Sequence, residues 1–255
     1  MEKALIILEC FTSNKNELTL DDFSKLTGYS KSTVFRMISS LEKFGYIKAK
    51  VTNSETRYSL GLAFLEKANL VSNQLDIREL AKDEIVKLRN KTNMTVQLAI
   101  RHGNEAIYIE QAESFRELRI FPGIGKRVPL YAAACPRILL AFLDVQEREQ
   151  ILDSFHYVPF TSNTLINPTH LRESIERIRE RGYEISEGEI YEGTIAIAAP
   201  IMDRRGEVIA SLSITGMKTD FEKEIFDSTI NEVIQSAKNI SYQLGYPGSD
   251  EHVVK

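Results

Sequence analysis

Two short helical segments joined by a glycine turn, close to the amino terminus, constrain the fold of this sequence more than any other feature. The first is predicted to begin after Thr19, whose hydroxyl can cap it, and Gly28 breaks the chain where it ends. Ser30 can cap the second segment, and Gly45 supplies the left-handed residue that stops it. Helices in this order form a helix-turn-helix, expected over about residues 20–44, whose second member can lie in the major groove of DNA.

The two sides of the second helix differ in chemistry. Apolar residues recur every three or four positions on one side and are expected to face the core: Val34, Met37, Ile38, Leu41 and Phe44. On the other side, hydroxyls and Lys can contact phosphates or bases, while Arg can bind a guanine edge through two parallel hydrogen bonds. Base readout is therefore assigned first to Arg36. The residues of this helix and its cap that are expected to contact DNA are Ser30, Lys31, Ser32, Thr33 and Arg36.

An earlier helix is predicted from an apolar stripe of Ala4, Leu5, Ile7, Leu8 and Phe11. Cys10 lies in this helix, where we expect a packed, inert thiol. Cys135 is the only other cysteine, so a disulfide framework is excluded and a reducing cytoplasm is the expected setting. The first residues lack the pattern of a secretory signal, and the longest apolar runs are far shorter than the about 20 residues that cross a bilayer.

After Gly45 the periodicity changes to two. Residues 46–51 alternate apolar and basic side chains, 52–56 form a polar turn, and 57–60 return, which predicts a β-hairpin, or wing, behind the third helix. Its basic residues are expected to lie along the phosphate backbone of DNA. They are Lys48, Lys50 and Arg57. The alternative interpretation is a three-helix packing unit whose hairpin has no role in binding.

The formal net charge of −4 argues against a polyanionic partner only if it is evenly spread. Residues 1–60 hold nine Lys or Arg and seven Asp or Glu, a net charge of +2, which leaves −6 for the remaining 195 residues. Between Ser30 and Leu60 the net charge is +4. A local cationic stretch on an acidic chain is typical of a small nucleic-acid-binding module joined to a larger domain, although a solvated charged face would have the same composition.

Two blocks of the sequence resemble one known family. The first block consists of residues 18–36, 41–47 and 57–61, and the second of residues 181–184, Gly193, 198–203, Gly206 and 211–216. In this order and at this separation they are similar to the IclR family of bacterial transcription regulators, over nearly the full length. The resemblance implies an α+β chain with an N-terminal winged helix-turn-helix, a helical linker and a C-terminal effector domain with an antiparallel sheet, similar to GAF and PAS sensor domains.

The pattern beyond the wing agrees with an α+β organisation. Helices are predicted over 62–73 and 77–91, the second capped by Asp76, and we place the domain boundary near residue 75. The expected domains are therefore a winged helix-turn-helix over 1–61, a helical linker over 62–75 and an effector-binding domain over 76–250. Within the last, alternating segments predict hairpins over 95–110 and 195–214, with helices over 168–181, capped by Asn167, and 221–244.

No catalytic or metal-binding constellation is expected. The histidines are scattered, without the close spacing of a zinc site: His102, His156, His170 and His252. Glu187 and Glu189 resemble a carboxylate pair, but strand alternation sends both to one face without a partner base, so a solvated edge is the expectation. Residues 123–126 lack the Ser or Thr of a phosphate loop and are interpreted as a turn. We expect no enzyme, cofactor or metal site.

The resemblance implies that a small molecule, often an organic acid, binds in a cavity of the second domain. Carried over to this sequence, the lining positions are Ala134, Cys135, Ser186, Ala196, Ser213 and Thr215. Alternation places Ser213 and Thr215 on one strand face, where hydroxyls can bind a carboxylate, unless they hydrogen-bond within the sheet. Relatives that bind glyoxylate or pyruvate tend to have Gly-Lys-Ala where this chain has Cys135 to Ile138, an acid near Ser186 and a Cys near Ala196. The differences predict a less polar cavity here, which accepts a larger or more hydrophobic acid. Arg137 is interpreted either as a fork for the acid or as a surface salt bridge.

The sequence thus predicts a ligand-responsive, DNA-binding transcription regulator that acts as a homodimer or tetramer on a pseudo-palindromic operator. Repression is favoured over activation, although that choice depends on where the operator lies relative to the promoter. Its expected partners are double-stranded DNA and a small carboxylic acid. One alternative is an enzyme acting on a small acid, with an accessory winged helix. Another is a scaffold whose winged helix binds protein.

Overall fold

The structure is a computed structural model that describes residues 2–12, 15–52, 55–72, 76–115, 122–221 and 226–247. The chain divides into two compact units, residues 1–75 and 76–255, referred to below as unit 1 and unit 2. Within the described ranges, no helix combines the length and the apolar composition needed to cross a membrane.

Unit 1 contains four helices and one two-stranded sheet among its described residues. They are α1 (Glu2–Glu9), α2 (Leu20–Thr27), α3 (Lys31–Lys43), β1 (Ile47–Thr52), β2 (Glu55–Leu60) and α4 (Ala63–Ser72). Thr19 Oγ1 accepts the backbone N–H of Asp22 at 3.2 Å, and the Asp22 carboxylate accepts the N–H of Thr19 at 2.9 Å, which is a capping box. Ser30 caps α3, and Gly28 and Gly45 have φ of 71° and 74°. The predicted helix-turn-helix and wing are confirmed.

The core of unit 1 gathers side chains from the first three helices, both strands and the segment before α2: Ile7, Leu18, Phe23, Val34, Ile38, Ile47 and Tyr58. Two expectations about it are wrong. Leu5 is 56% exposed, because it lies two positions from Ile7 and thus about 200° around a short helix. Phe44 is 67% exposed, because it is the C-cap of α3, where the helical periodicity has already ended.

Unit 2 is an antiparallel sheet with helices on both faces. Its elements are α5 (Asp76–Thr92), β3 (Thr95–His102), β4 (Glu105–Ala112), β5 (Arg127–Pro129), α6 (Ala134–Ala141), α7 (Val145–Ser154), α8 (Pro168–Arg181), β6 (Glu184–Glu187), β7 (Thr194–Met202), β8 (Val208–Met217) and α9 (Phe226–Gln243). The strand order is β5-β4-β3-β8-β7-β6. This arrangement confirms the α+β class, both predicted hairpins and the Asn167 cap, whose Oδ1 accepts the N–H of Thr169 at 2.9 Å.

Two boundaries of unit 2 differ from the sequence prediction. Helix α5 begins at Asp76 itself, the residue expected to cap it. The last helix is described from Phe226, whereas Phe221 follows a 3₁₀ turn over Lys218–Asp220. The reason is local: the Asp220 carboxylate accepts the N–H of Met217 at 2.9 Å, which closes a separate turn directly after β8.

Candidate functional site

The exposed side of α3 is held in place by the capped turn that precedes it. Ser30 Oγ accepts the N–H of Thr33 and lies 3.1 Å from Ser32 Oγ and 3.0 Å from Thr33 Oγ1. The Lys31 ammonium lies 2.6 Å from the Asp21 carboxylate of α2. The hydroxyls and Lys31 at the start of α3 thus have partners within unit 1, although Lys31 and Ser32 remain exposed to solvent.

Arg36 lies on the side of α3 that faces away from the core. It is exposed and makes no hydrogen bond or ion pair with any residue that the structure describes. Beside it, Phe35 exposes 53% of its surface, and the sequence analysis did not assign it a role. The available signal was its position outside the row of Val34, Ile38 and Leu41. A guanidinium can bind a guanine edge and an apolar side chain can contact a thymine methyl group, so these two neighbours present complementary means of reading bases.

The wing places its basic residues on one side. Antiparallel pairing sets Lys50 opposite Arg57 and Lys48 opposite Ser59, while Ala49 and Tyr58 share the inner side. The backbone of Tyr58 exchanges two hydrogen bonds with Leu18, at 3.0 and 2.8 Å, which ties the wing to the helices. Lys48 and Lys50 are exposed, whereas the Arg57 guanidinium pairs with the Glu55 carboxylate at 2.9 Å. The free positive charge of the wing therefore comes mainly from its two lysines.

A small cavity lies under the sheet of unit 2 and has a volume of about 30 Å³. Five of the six expected residues line it: Cys135, Ser186, Ala196, Ser213 and Thr215. Ala134 does not line it. Ala134 is fully buried, and its N–H donates to Ser186 Oγ at 3.1 Å. The residues that sequence reasoning missed are Gln97, Tyr108, Pro122, Ala133, Glu189, Ile190, Tyr191 and Thr194.

Strand register explains why the expected residues meet. Ala196 is paired with Ser186 of β6 on one side and with Thr215 of β8 on the other. Ser213 lies two residues before Thr215, so both side chains point to the same face. The thiol of Cys135 donates to the carbonyl of Ser211 at 3.6 Å. Burial raises the pKa of this thiol to about 11, although hydrogen bonds with Ser211 and Ser213 oppose the shift, so Cys135 is a neutral part of the wall.

Arg137 does not form a surface salt bridge, and its guanidinium is not free to bind the carboxylate of a ligand. Both expectations for this residue were wrong. Its side chain is 1% exposed, and both terminal nitrogens donate to the Glu189 carboxylate, Nη1 at 2.9 Å from Oε2. Nη2 also lies 3.3 Å from Glu184 Oε1. Burial lowers the pKa of Arg137, but the two carboxylates outweigh it and the net shift is upward. Arg137 is buried and paired because every residue of α6 is buried, and a charge in such a helix requires a buried partner of opposite sign.

Glu187 and Glu189 do not share a solvated strand face, which corrects a third expectation. Strand β6 ends at Glu187, and Gly188, with φ of 66°, turns the chain so that Glu189 leaves the alternation and points inwards. Glu189 is 5% exposed and lines the cavity, whereas Glu187 is exposed and pairs with Lys218. The carboxylate of Glu189 thus adds one polar group, close to Ser186, to the wall of the cavity.

The remaining candidate ligands of a metal stay apart. His102, His156 and His170 are exposed, and His252 lies outside the described residues. Among the residues that the structure does describe, no group of three His, Cys, Asp or Glu side chains could hold a metal ion. Residues 123–126 form the turn that was expected, in which the Lys126 N–H donates to the Gly123 carbonyl at 3.1 Å.

Comparison with known proteins gives matches over both units. The family described as "Bacterial transcriptional regulator IclR C-terminal" matches residues 69–242, and "IclR helix-turn-helix domain" matches residues 1–50. The HTH-type transcriptional regulator KipR of Bacillus subtilis is 37% identical over 96% of this chain and 96% of its own length.

Solved structures extend the likeness to the fold. The crystal structure of the Thermotoga maritima IclR covers 96% of this chain and 98% of its own, with a TM-score of 0.78 and 29% identity. An IclR homologue from Microbacterium hydrocarbonoxydans, crystallised with 4-hydroxybenzoate, covers 95% of this chain and 97% of its own, with a TM-score of 0.83 and 22% identity. At that identity the second likeness concerns the fold alone.

Proposed function

The chain belongs to the IclR family of bacterial transcriptional regulators, and from that premise we propose that it is a ligand-responsive repressor whose homodimer or tetramer binds a pseudo-palindromic operator. It is a DNA-binding transcription regulator and not an enzyme. Repression requires only that the bound protein occupies a promoter, whereas activation requires a further contact with the transcription machinery. The cytoplasm, where the bacterial chromosome lies, is the proposed location.

The observation that carries the proposal is the exposed side of α3. Arg36 has no competing partner among the described residues, and Phe35 lies next to it on the same exposed surface. We assign base readout to these two residues and phosphate contacts to Lys31, Lys48, Lys50 and Arg57. Ser30, Ser32 and Thr33 hold the turn and add hydroxyl contacts to the backbone of DNA.

The proposed dimer is supported by apolar residues exposed around α4. Leu62, Leu65 and Leu70 are 73%, 68% and 57% exposed. Such residues, close together on and beside one helix, favour an interface between two chains. We therefore propose that 62–75 is a linker that also contributes to pairing, so that the two α3 helices reach half-sites one helical turn apart.

The proposed effector is a small organic acid that also has a hydroxyl group. Hydroxyls of Ser186, Ser213 and Thr215 can donate hydrogen bonds to a carboxylate. Glu189 on the same wall is paired with Arg137, and its carboxylate can accept a further hydrogen bond from a ligand hydroxyl. A hydroxy acid can therefore place its carboxylate against the hydroxyls and its own hydroxyl against Glu189. The homologue crystallised with 4-hydroxybenzoate is a protein of the same fold that holds a ligand of this chemistry.

The size of the cavity links effector binding to a conformational change. Its volume of about 30 Å³ is only about two to three times the ~10–15 Å³ that holds a single water molecule. An organic acid must therefore bind a form of unit 2 in which this cavity is larger, and binding shifts the population towards that form. We propose that the enlarged form differs from the present one in its affinity for DNA.

DNA binding is tested with the Arg36→Ala variant in an electrophoretic shift assay on the operator and on an unrelated duplex. We expect a loss of about 1–3 kcal/mol in operator affinity with relaxed base preference at one position, because a bidentate base contact disappears. Arg177→Ala, at an exposed position of α8, is the matched control. Unchanged affinity and preference for Arg36→Ala would overturn the assignment.

Effector binding is tested by thermal shift of the full chain with 4-hydroxybenzoate, benzoate and phenol, because a ligand of the native state raises the apparent stability. We expect the hydroxy acid to give the largest shift and Thr215→Val to reduce it. Thr169→Val, at an exposed position, should leave it unchanged. Equal shifts for all three compounds would contradict the proposed chemistry of the wall.

A further inference from the structure

A second cavity of unit 2 lies apart from the one just described and shares none of its lining residues. Its volume is about 350 Å³, within the usual range of ligand pockets, and it lies between the end of α8, the end of β7 and α9. We propose that this cavity is a separate binding site for a small carboxylate that has an apolar body, such as an aromatic acid.

The cavity arises from an incomplete sheet edge. Strand β6 pairs only with residues 195–198 of β7, so no strand of the described chain covers residues 199–202 on that side. The N–H of Met202 donates to Ser241 Oγ of α9 at 2.9 Å, and Pro200 has no N–H. The backbone at this edge is therefore kept from pairing with another strand, and the space beside it remains available to side chains and ligands.

The floor and walls of the cavity suit the apolar body of such a ligand. Seven of its lining residues carry ring or aliphatic side chains, interspersed with polar groups. The residues are Phe142, Ala199, Pro200, Met202, Ile234, Tyr242 and Tyr246. Aromatic and aliphatic walls with a few polar groups that fix orientation are typical of small-molecule sites.

The charges around the cavity favour an anion. Three cations, Arg179, Arg181 and Lys238, accompany one acid, Glu180. Arg179 Nη1 donates to the last carbonyl of α6, that of Ala141, at 2.9 Å, and Arg181 is engaged by the Glu184 carboxylate at 2.7 Å. Lys238 is exposed and makes no hydrogen bond or ion pair with a residue in the described part of the chain. The Lys238 ammonium is thus available to bind a carboxylate.

The test uses the full chain labelled with ¹³C at the methyl groups of Met and Ile, with benzoate as the probe and benzamide as its uncharged match. The methyl groups of Met202 and Ile234 report on this cavity, and that of Ile190 reports on the smaller cavity. Met202→Leu and Ile234→Val assign the signals. We expect benzoate to shift the Met202 and Ile234 signals in a saturable manner and benzamide to shift them at least about tenfold more weakly.

Lys238→Glu is expected to weaken this binding at least about tenfold, because it replaces the free cation by an anion. Arg177→Glu makes the same charge change on α8 outside the cavity and should leave the affinity unchanged. The proposal is overturned if only Ile190 responds, if benzamide binds as well as benzoate, or if both lysine and arginine variants weaken binding equally. If the Met202 and Ile234 signals shift with protein concentration in the absence of benzoate, the proposal is overturned, because a second copy of the chain then occupies the cavity.

Discussion

Three basic residues of α3 and the wing are exposed and unpaired within the described part of the chain, whereas the basic residue beside the cavity of unit 2 is buried and paired. Arg36, Lys48 and Lys50 are exposed in solvent and uncommitted to the described residues, so their charge is available to a partner. In unit 2, Arg137 is buried and its charge is neutralised by Glu189 and Glu184. A free surface charge costs the fold little and contributes to binding, whereas a buried charge becomes part of the stability of its domain. The following predictions test this difference.

The largest expected effect is on the buried cluster. Glu189→Gln should lower the free energy of unfolding of unit 2 by about 3 kcal/mol, because it leaves the Arg137 guanidinium buried with only part of its partner charge. Glu187→Gln, at an exposed ion pair two residues away, should cost under about 1 kcal/mol. Urea denaturation of both variants measures the difference. Similar losses would mean that burial of the Arg137 pair has no special role in stability.

The two cysteines extend the comparison to neutral groups. The pKa of Cys135 is raised by burial from 9.0 to about 11, so at pH 8 its thiolate fraction is roughly a hundredfold smaller than in the unfolded chain. We expect iodoacetamide to modify the partly exposed Cys10 first, although burial and Glu9 also raise the pKa of that thiol. Mass spectrometry of timed samples gives the order. Faster labelling of Cys135 would contradict it.

The Cys135 thiol also makes the free energy of unfolding depend on pH in the alkaline range. Its pKa is higher in the folded chain than in the unfolded chain, so the neutral thiol favours folding. This contribution is complete below the unfolded value of 9.0 and is lost as the pH rises through about 11. Cys135→Ala should therefore unfold with a weaker dependence on pH over this range, as measured by urea denaturation at several pH values.

A smaller effect is expected from the exposed phenylalanine of α3. Phe35→Ala should weaken operator binding by about 1–2 kcal/mol and relax the preference for thymine at one position, while non-specific binding stays unchanged. Phe44→Ala is the matched control, since Phe44 is also exposed but lies beyond the end of α3. Titrations on single-base variants of the operator provide the measurement. Equal losses for both variants would indicate a general effect on unit 1.

The smallest expected effect is a difference in the salt dependence of DNA binding between variants of Lys48 and Arg57. Lys48→Gln should reduce the slope of the logarithm of affinity against the logarithm of salt concentration by about 0.9, because one phosphate contact is lost. Arg57→Gln should reduce it less, since Arg57 is already paired with Glu55. Fluorescence anisotropy over a series of salt concentrations distinguishes the two. A larger change for Arg57 would place the phosphates on the opposite edge of the hairpin.

The elements of both units could be predicted where the signal is local. Thr19, Ser30 and Gly45 define the ends of α2 and α3 within a few residues of sequence, and the change of period after Gly45 marks the wing. Exposure of Arg36 follows from the same periodicity. The two residues whose burial was predicted wrongly lie where helical periodicity is a poor guide: Phe44 at the end of a helix and Leu5 on a helix of about two turns.

The cavity was only partly predictable, for a physical reason. Alternation along β8 brings Ser213 and Thr215 to one face, and a resemblance supplied the other expected positions. Glu189 was missed because a single left-handed residue, Gly188, redirects the chain after β6, and strand alternation contains no sign of that turn. The burial of Arg137 depends on the packing of α6 beneath the sheet, which no local pattern encodes.

The small volume of the cavity beneath the sheet also affects timing. Under the proposed function, an effector that can enter only a rarely populated, wider form must wait for that form to appear, and its apparent affinity falls in proportion to the population of that form. In such a regulator, the packing around Ser213, Thr215 and Glu189 would set how quickly the effector is sensed, and a substitution that makes the cavity widen more often would speed the response.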